Sequence, residues 1–302
     1  MYDVIIVGAG PAGLTSAIYT RRANKKTLVL EASNYGGQII NTLDIENYPA
    51  SSHISGYDFA TKLYNQAKEL GTEIIFEKVI KIENHDDYKI VYTTKGEYQA
   101  KAIILATGLK NKKLGLDNEN KLIGKGISYC ATCDGAFYKD KDVAVQGGGN
   151  TALEDALYLS DIAKTVYLIH RRDEFRADEI LVNKLKEKEN VIFILNSTVT
   201  KLNANERLES IEITNNDGTI KTLEVSGLFV AIGRIPENEN FKNIINIDNE
   251  GYIVAGEDCH TNTHGIYVAG DNRVKVIRQL VTATSDGAIA AIEAIKYINN
   301  KD

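Results

Sequence analysis

The chain has 302 residues, enough for two medium domains with separate cores. Its 43% apolar and 25% charged residues match a globular protein, and the net charge of -6 argues against nucleic acid or an anionic membrane as a main partner. No apolar run approaches the roughly 18 residues of a membrane span, and no basic or cleavable apolar segment precedes the first strand, which predicts a cytoplasmic protein.

In chain order, an apolar run at 4–7 predicts a buried strand, followed by Gly8, Gly10 and Gly13. Residues 14–23 have helical composition, and 27–30 form a second predicted strand ending at Glu31. A G-x-G-x-x-G turn between strand and helix suits a dinucleotide. Its glycines allow the tight turn, the approach of a pyrophosphate and close helix–strand packing, and the helix start supplies N–H donors. Glu31, about 20 residues on, is placed to accept bonds from ribose hydroxyls.

The unit recurs after a shift of 139 residues, which sets Asp3 against Asp142, Gly8 against Gly147 and Gly10 against Gly149. Each copy passes through a hairpin-like stretch, 73–102 and 191–225, before a second marker, Leu105-Ala106-Thr107-Gly108 or Val230-Ala231-Ile232-Gly233. Two related nucleotide-binding domains are the simplest interpretation. The C-terminal part has no third glycine-rich unit and reads as completing the first domain. The expected organisation is therefore α/β, with two Rossmann-like three-layer domains: 1–113 plus 241–302, and an inserted 114–240.

The copies differ where ligand preference is set. Opposite Glu31 stands His170, followed by Arg171, Arg172 and, a turn later, Arg176. Guanidinium groups there suit a 2′-phosphate, so the second site is expected to prefer NADPH and the first to hold FAD. The competing reading is a solvated charge run, Arg171-Arg172-Asp173-Glu174. Gln146 is unusual directly before the first glycine of such a turn.

Three cysteines are too few for a secreted disulfide framework, so the pair in Cys130-Ala131-Thr132-Cys133-Asp134 points to redox chemistry. Asp134 is a candidate proton carrier or a simple turn and cap residue. A zinc half-site completed by Cys259 with His260 or His264 and a pair of buried structural cysteines are the other readings. Cys259 itself reads as an ordinary semi-buried thiol.

Taken together, Gly8 to Gly13, Gly36-Gly37-Gln38, Glu46-Asn47-Tyr48-Pro49, Ala106-Thr107-Gly108, Cys130 to Asp134, Gly147 to Ala152, His170 to Arg176, Gly270-Asp271 and Arg278-Gln279-Leu280 resemble, over essentially the whole chain, the low-molecular-weight bacterial-type thioredoxin reductases. The resemblance implies FAD contacts at Gly8, Gly10, Pro11, Ala12, Gly13, Glu31, Gly37, Gln38, Asn47, Thr107, Gly108, Gly270, Asp271, Arg278, Gln279 and Leu280. It implies NADPH contacts at Gly147, Gly149, Asn150, Thr151, Glu154, His170, Arg171, Arg172, Arg176, Ile232, Gly233 and Arg234. Cys133 would face the flavin, Cys130 would attack thioredoxin, and Asp134 would be the acid.

A homodimer and rotation of the inserted domain about its crossings are implied as well. Ala50, where glycine is usual, and His264, in place of a common proline, depart from the pattern without touching this chemistry. Ferredoxin-driven relatives lose the second glycine motif and its arginines, and both are present here. The alternatives are a flavin reductase serving another protein acceptor, a thiol oxidase and a non-catalytic flavin or NADPH sensor.

Overall fold

The computed structural model describes residues 1–301 other than Leu43 and Ser52. The chain divides into two compact units, Met1–Lys110 with Ile235–Asp302, and Asn111–Arg234. The first unit opens with strand β1 (Tyr2–Val7), helix α1 (Pro11–Arg22), β2 (Thr27–Glu31), α2 (Gly56–Glu69), β3 (Glu73–Phe76), β4 (Val79–Asn84), β5 (Lys89–Thr93) and β6 (Glu97–Leu105). After the crossing strand β7 (Lys110–Asn111), the second unit contains α3 (Glu119–Leu122), β8 (Ile127–Ser128), α4 (Ala131–Asp134), β9 (Asp142–Gly147), α5 (Asn150–Ser160), β10 (Thr165–Ile169) and α6 (Glu179–Lys186). It continues with β11 (Val191–Ile194), β12 (Ser197–Ala204), β13 (Leu208–Asn215), β14 (Ile220–Glu224) and β15 (Gly227–Ala231). A second crossing strand, β16 (Arg234–Ile235), pairs with β7 and leads back to β17 (Ile266–Val268) and α7 (Leu280–Asn299).

In the first unit the sheet runs β3-β2-β1-β6-β5-β4, with β17 also on β6. Strands β3, β2, β1, β6 and β17 are parallel, whereas β4 and β5 extend the sheet antiparallel. Residues 4–7 of β1 are buried on both faces, as the continuous apolar run predicts. On one face α1 and α7 close over Val4, Ile6 and Ile104, and on the other Ile5, Leu28 and Ile103 pack with Phe241, Ile245 and Ile253. Helix α7 lies close on α1 because Gly287 has no side chain. A Cβ there would stand 2.3 Å from the Ala12 carbonyl oxygen.

The second unit has a five-stranded sheet, β11-β10-β9-β15-β8, and a separate three-stranded layer, β12-β13-β14. Gln146, out of place for its motif, joins the two. Its Oε1 accepts the Val199 N–H at 2.9 Å, beside a register shift in β12 between Val199 and Lys201. A buried amide left unpaired by a strand irregularity is costly, and the Gln146 side chain supplies its acceptor.

The second unit begins and ends a few residues earlier than the expected 114–240. The polar stretch 236–240 belongs to the first unit because its polarity is used internally. Asn238 is 1% exposed, and its Nδ2 donates to the carbonyls of Gly251 at 2.9 Å and Asn272 at 3.0 Å.

The loop between β17 and α7 is held by one carboxylate. Asp286 of α7 accepts from Arg273 Nε at 2.9 Å and Nη2 at 2.8 Å, from Lys275 Nζ at 2.9 Å and from the Gly270 N–H at 3.0 Å. Burial alone would raise its carboxyl, but the bonds from Arg273 and Lys275 outweigh that and hold it below the usual carboxylate range. A depressed folded-state value contributes stability above the unfolded value of about 3.9, and that stability is lost as pH falls through the folded value. Asp286→Ala strands two buried cations and should cost about 3–5 kcal/mol, read by urea unfolding at pH 7. The deficit should shrink as the pH falls below about 4. An equal deficit at every pH would contradict this role.

Candidate active site

The first nucleotide turn leaves β1 at Gly8, whose φ of 110° suits glycine, and a Cβ there would meet the Ala106 carbonyl oxygen at 2.3 Å. Gly10 is the N-cap of α1 and Pro11 its first residue, and no side chain caps this helix. The first-turn N–H groups are thus left for an anion. Space beside Gly10 is open, with Gly37 Cα as the nearest atom to a Cβ at 3.9 Å, and the Gly36 N–H donates to the Ala9 carbonyl at 2.8 Å. The Gly37-Gln38 turn is thereby brought to the glycine loop. Glu31, at the end of β2, accepts from the Ala9 N–H at 2.8 Å and the Ser33 N–H at 2.9 Å, which fixes its carboxylate beside the turn.

Other expected residues of the first unit are tied to one another. Thr107 Oγ1 accepts from Asn272 Nδ2 at 2.9 Å and donates to Asn238 Oδ1 at 3.2 Å, and Asn272 is fully buried next to Asp271. Asn47 Nδ2 donates to Gln279 Oε1 at 3.4 Å. Gln279 is the N-cap of α7 in a reciprocal capping box with Thr282, and Leu280 is the first residue of that helix. The Arg278 guanidinium lies 4.2 Å from the centre of the Tyr252 ring and donates to the Asp271 carbonyl at 3.3 Å. Gln38 Oε1 is buried without a hydrogen-bond partner. A flavin dinucleotide fits this set: open helix-start N–H groups for a diphosphate, a fixed carboxylate for ribose hydroxyls, and a buried acceptor awaiting a donor.

The second turn is built alike at its helix. Gly149 caps α5 with no side-chain bond, and nothing lies within 4 Å of where its Cβ would be. Asn150 makes a reciprocal pair with Asp178, Nδ2 to Oδ2 at 2.8 Å and Asp178 N–H to Oδ1 at 2.9 Å, clamping the start of α6 to that of α5. Thr151, Gly233 and Arg234 are exposed, and Ile232 is half-buried. The Arg176 N–H donates to the Gly148 carbonyl at 2.7 Å, joining the arginine loop to the glycine turn. Arg171 and Arg176 are exposed and Arg172 half-buried, and among the described residues none of the three has a carboxylate partner. Asp173 and Glu174, both exposed, form no ion pair with them among the described residues.

His170 is the exception to the expected contacts. It is 7% exposed, its ring stacks on Phe175 with centroids 5.3 Å apart, and its Nε2 lies 3.0 Å from the Glu174 carbonyl oxygen. Burial, helped by Arg171 and Arg172, holds the ring below the ordinary imidazole range, so it is neutral at pH 7. It supports the turn from beneath rather than facing a phosphate. Gly148, which no motif position singled out, makes room for it.

Cys130 and Cys133 form a disulfide, with sulfurs 2.07 Å apart, across the single turn of α4. Cys133 is exposed and Cys130 half-buried. Cys130 Sγ also caps the turn, accepting the Cys133 N–H at 3.2 Å. Ser128, missed in the sequence, organises the pair. Its hydroxyl accepts the Cys130 N–H at 3.0 Å and donates to Asp134 Oδ2 at 2.7 Å. Asp134 makes no cap bond to the helical turn that follows it, so one hydroxyl links its carboxylate to Cys130. Cys259 is buried, and burial pushes its thiol up to about 12. Among the described residues the groups close enough to share a metal ion are the exposed Asp44, Glu46 and His53, with no cysteine among them.

Two strand–turn–helix nucleotide sites and a reducible cysteine pair in one chain define a disulfide oxidoreductase of the dinucleotide-dependent class. The chain belongs to the pyridine nucleotide-disulphide oxidoreductase family, which it matches over residues 2–287. Thioredoxin reductases of Listeria monocytogenes and Bacillus subtilis are 42% and 41% identical to it, each over 99% of this chain and 94% and 95% of their own lengths. The crystal structure of Lactococcus lactis thioredoxin reductase in its FR conformation superimposes with a TM-score of 0.93 at 39% identity, covering 99% of this chain and all of that one.

Gly148→Ala would put a methyl 2.1 Å from the His170 ring. The expected cost is about 1–3 kcal/mol, read by chemical unfolding. His170→Ala in the same chain should recover part of it, since the two act through one contact. Strict additivity would show that the clash is relieved elsewhere.

Proposed function

We propose that the chain is an NADPH-dependent flavoprotein that reduces the disulfide of thioredoxin through Cys130 and Cys133. The observation that carries this reading is the closed C-x-x-C disulfide, in the same unit as a glycine turn flanked by three unpaired arginines. The full-length thioredoxin reductase relatives support the acceptor, and the arginines support NADPH as donor over NADH.

The first unit holds FAD: the α1 N–H groups take its diphosphate, Glu31 its ribose hydroxyls, and Gln38 and the Arg278-Gln279-Leu280 segment its flavin end. Bound there, FAD would supply a two-electron relay between NADPH and the cysteine pair. Arg171, Arg172 and Arg176 bind the 2′-phosphate of NADPH, and the open α5 start takes its diphosphate.

Two electrons delivered at Cys133 break the S–S bond and release Cys130 as a thiolate. Cys130 attacks one sulfur of the thioredoxin disulfide, forming a mixed disulfide and expelling the other sulfur. Cys133 then attacks Cys130, restoring the Cys130–Cys133 bond and freeing the thioredoxin dithiol. Asp134, held by Ser128 beside the pair, holds or returns the proton that each thiol–thiolate change requires. We read the enzyme as a cytoplasmic homodimer. No helix among the described residues is long and apolar enough to cross a membrane.

The test is steady-state reduction of thioredoxin by the FAD-loaded protein with NADPH and NADH compared. Cys130→Ser or Cys133→Ser should abolish thioredoxin reduction while NADPH still bleaches the flavin. Loss of bleaching would place these residues in FAD binding instead. Arg171→Ala with Arg172→Ala should weaken NADPH by about 1.5–3 kcal/mol per lost bond and spare NADH, measured as Kd by titration. Unchanged selectivity would remove the arginines from the site.

A further inference from the structure

The Ser128 hydroxyl has more neighbours than one hydrogen can serve. Ser128 is the last residue of β8, paired with Phe229 of β15 and 3% exposed, so the sheet fixes where its Oγ starts from. That oxygen meets the Cys130 N–H at 3.0 Å, Asp134 Oδ2 at 2.7 Å and the Cys130 carbonyl oxygen at 3.2 Å. A hydroxyl has one hydrogen to donate and two lone pairs that accept. The Cys130 N–H occupies one lone pair. With Asp134 ionised, the hydrogen goes to the nearer, charged oxygen, and the contact with the Cys130 carbonyl is left without one. With Asp134 protonated, the carboxyl O–H can donate into the second lone pair, and the serine hydrogen turns to the Cys130 carbonyl. That carbonyl accepts the Asp134 N–H at 3.2 Å and has a lone pair to spare. A backbone N–H in place of the hydroxyl could not follow the change, because it only donates.

We propose that Ser128 is a positioning residue that holds Asp134 beside the Cys130–Cys133 pair in both of its protonation states, by turning one hydrogen between Asp134 Oδ2 and the Cys130 carbonyl. The proposal rests on the reading of Asp134 as the proton carrier of that pair. No proton is handed through Ser128. The proton that Asp134 gives to a sulfur expelled from thioredoxin, or takes from a cysteine thiol, enters and leaves at the carboxyl. The serine hydrogen stays on its own oxygen.

The ionisable side chains of the elements packed on this turn are Glu154, Asp155 and Tyr158 on α5, Tyr138 in the helical turn that follows, and Tyr129, whose hydroxyl donates to Glu119 at 2.6 Å. Burial and then the Asp134 charge push the Tyr138 hydroxyl up, opposed by Arg207. None of these side chains bonds to Ser128 among the described residues, and all of them stay in place in the variants below. A hydrogen bond made to both forms of an acid leaves its titration where it was, whereas a bond to the charged form alone lowers it. Losing an anchor that serves both forms therefore slows the reaction without moving its pH inflections.

The measurement is thioredoxin reduction by the FAD-loaded enzyme with NADPH, read as kcat and KM across the neutral pH range. Ser128→Ala should lower kcat by roughly 10- to 100-fold. The KM for thioredoxin, the bleaching of the flavin by NADPH and the pH inflections should not change. In an Asp134→Ala background the same substitution should cost less than about twofold, because no carboxyl remains to be held. Ser128→Thr should recover most of the rate and Ser128→Val none of it. The two share a shape, so their difference isolates the hydroxyl from packing. An equal loss with and without Asp134, equal rates for the Thr and Val variants, or an inflection displaced by about one unit or more would overturn the proposal. Failure of the underlying reading shows separately, as thioredoxin reduction surviving Cys130→Ser or unchanged in Asp134→Ala.

Discussion

The loop from 270 to 279 carries much of the expected flavin contact and contains no helix or strand of its own, so its shape depends on what is buried beneath it. Asp286 supplies that support by collecting two bonds from Arg273, one from Lys275 and one from the Gly270 amide. A carboxylate with two cations is unfavourable to bury unless every lone pair and proton is directed, and here each carboxylate oxygen is bonded. With Gly270 and Arg273 fixed, Asp271 and Asn272 have little freedom between them. Asn272 then reaches Thr107 and the Leu105 carbonyl, so the end of β6 is aligned with the same loop. The Arg278 side chain closes the loop onto the Asp271 carbonyl. A buried ion cluster thus shapes the surface of the loop above it.

The two nucleotide turns place opposite charge beside one backbone design. In the first, the carboxylate after β2 is held by two backbone amides and presents acceptors. In the second, the equivalent place is taken by a buried neutral imidazole that packs against Gly148 and leaves the guanidinium groups after it unpaired. The difference in charge between the two turns therefore lies outside the glycine motif, in a residue about 20 positions on and the loop that follows it.

Much of this was legible in the sequence because it is local. Glycine spacing, the apolar runs of β1 and β9, the acid after β2, the arginines after β10 and the cysteine spacing are all patterns within short windows. What the sequence did not reveal is long-range and polar. Ser128, Asn238 and Asn272 carry ordinary side chains at unremarkable spacings, and their roles come from partners placed by the fold. The stretch 236–240 reads as a polar linker, yet Asn238 is buried, with its amide satisfying the carbonyls of Gly251 and Asn272. His170 was assigned by its place in a ligand motif, and only packing reveals that its ring turns inward.

Gln146 and Val7 occupy equivalent places in the two copies, and the difference between them describes how each copy fastens its outer β-layer. In the first unit, β5 joins β6 through a continuous backbone ladder, and Val7 needs only to be apolar. In the second unit that layer is a separate sheet, stitched at this point by one side-chain amide. Between two copies of one design, the first fastens its β-layer by a shared ladder and the second by a buried apolar seam of Val199, Leu202, Ile211 and Ile213 on Ala144, Ile169 and Leu228, with the Gln146 amide as a polar pin within it.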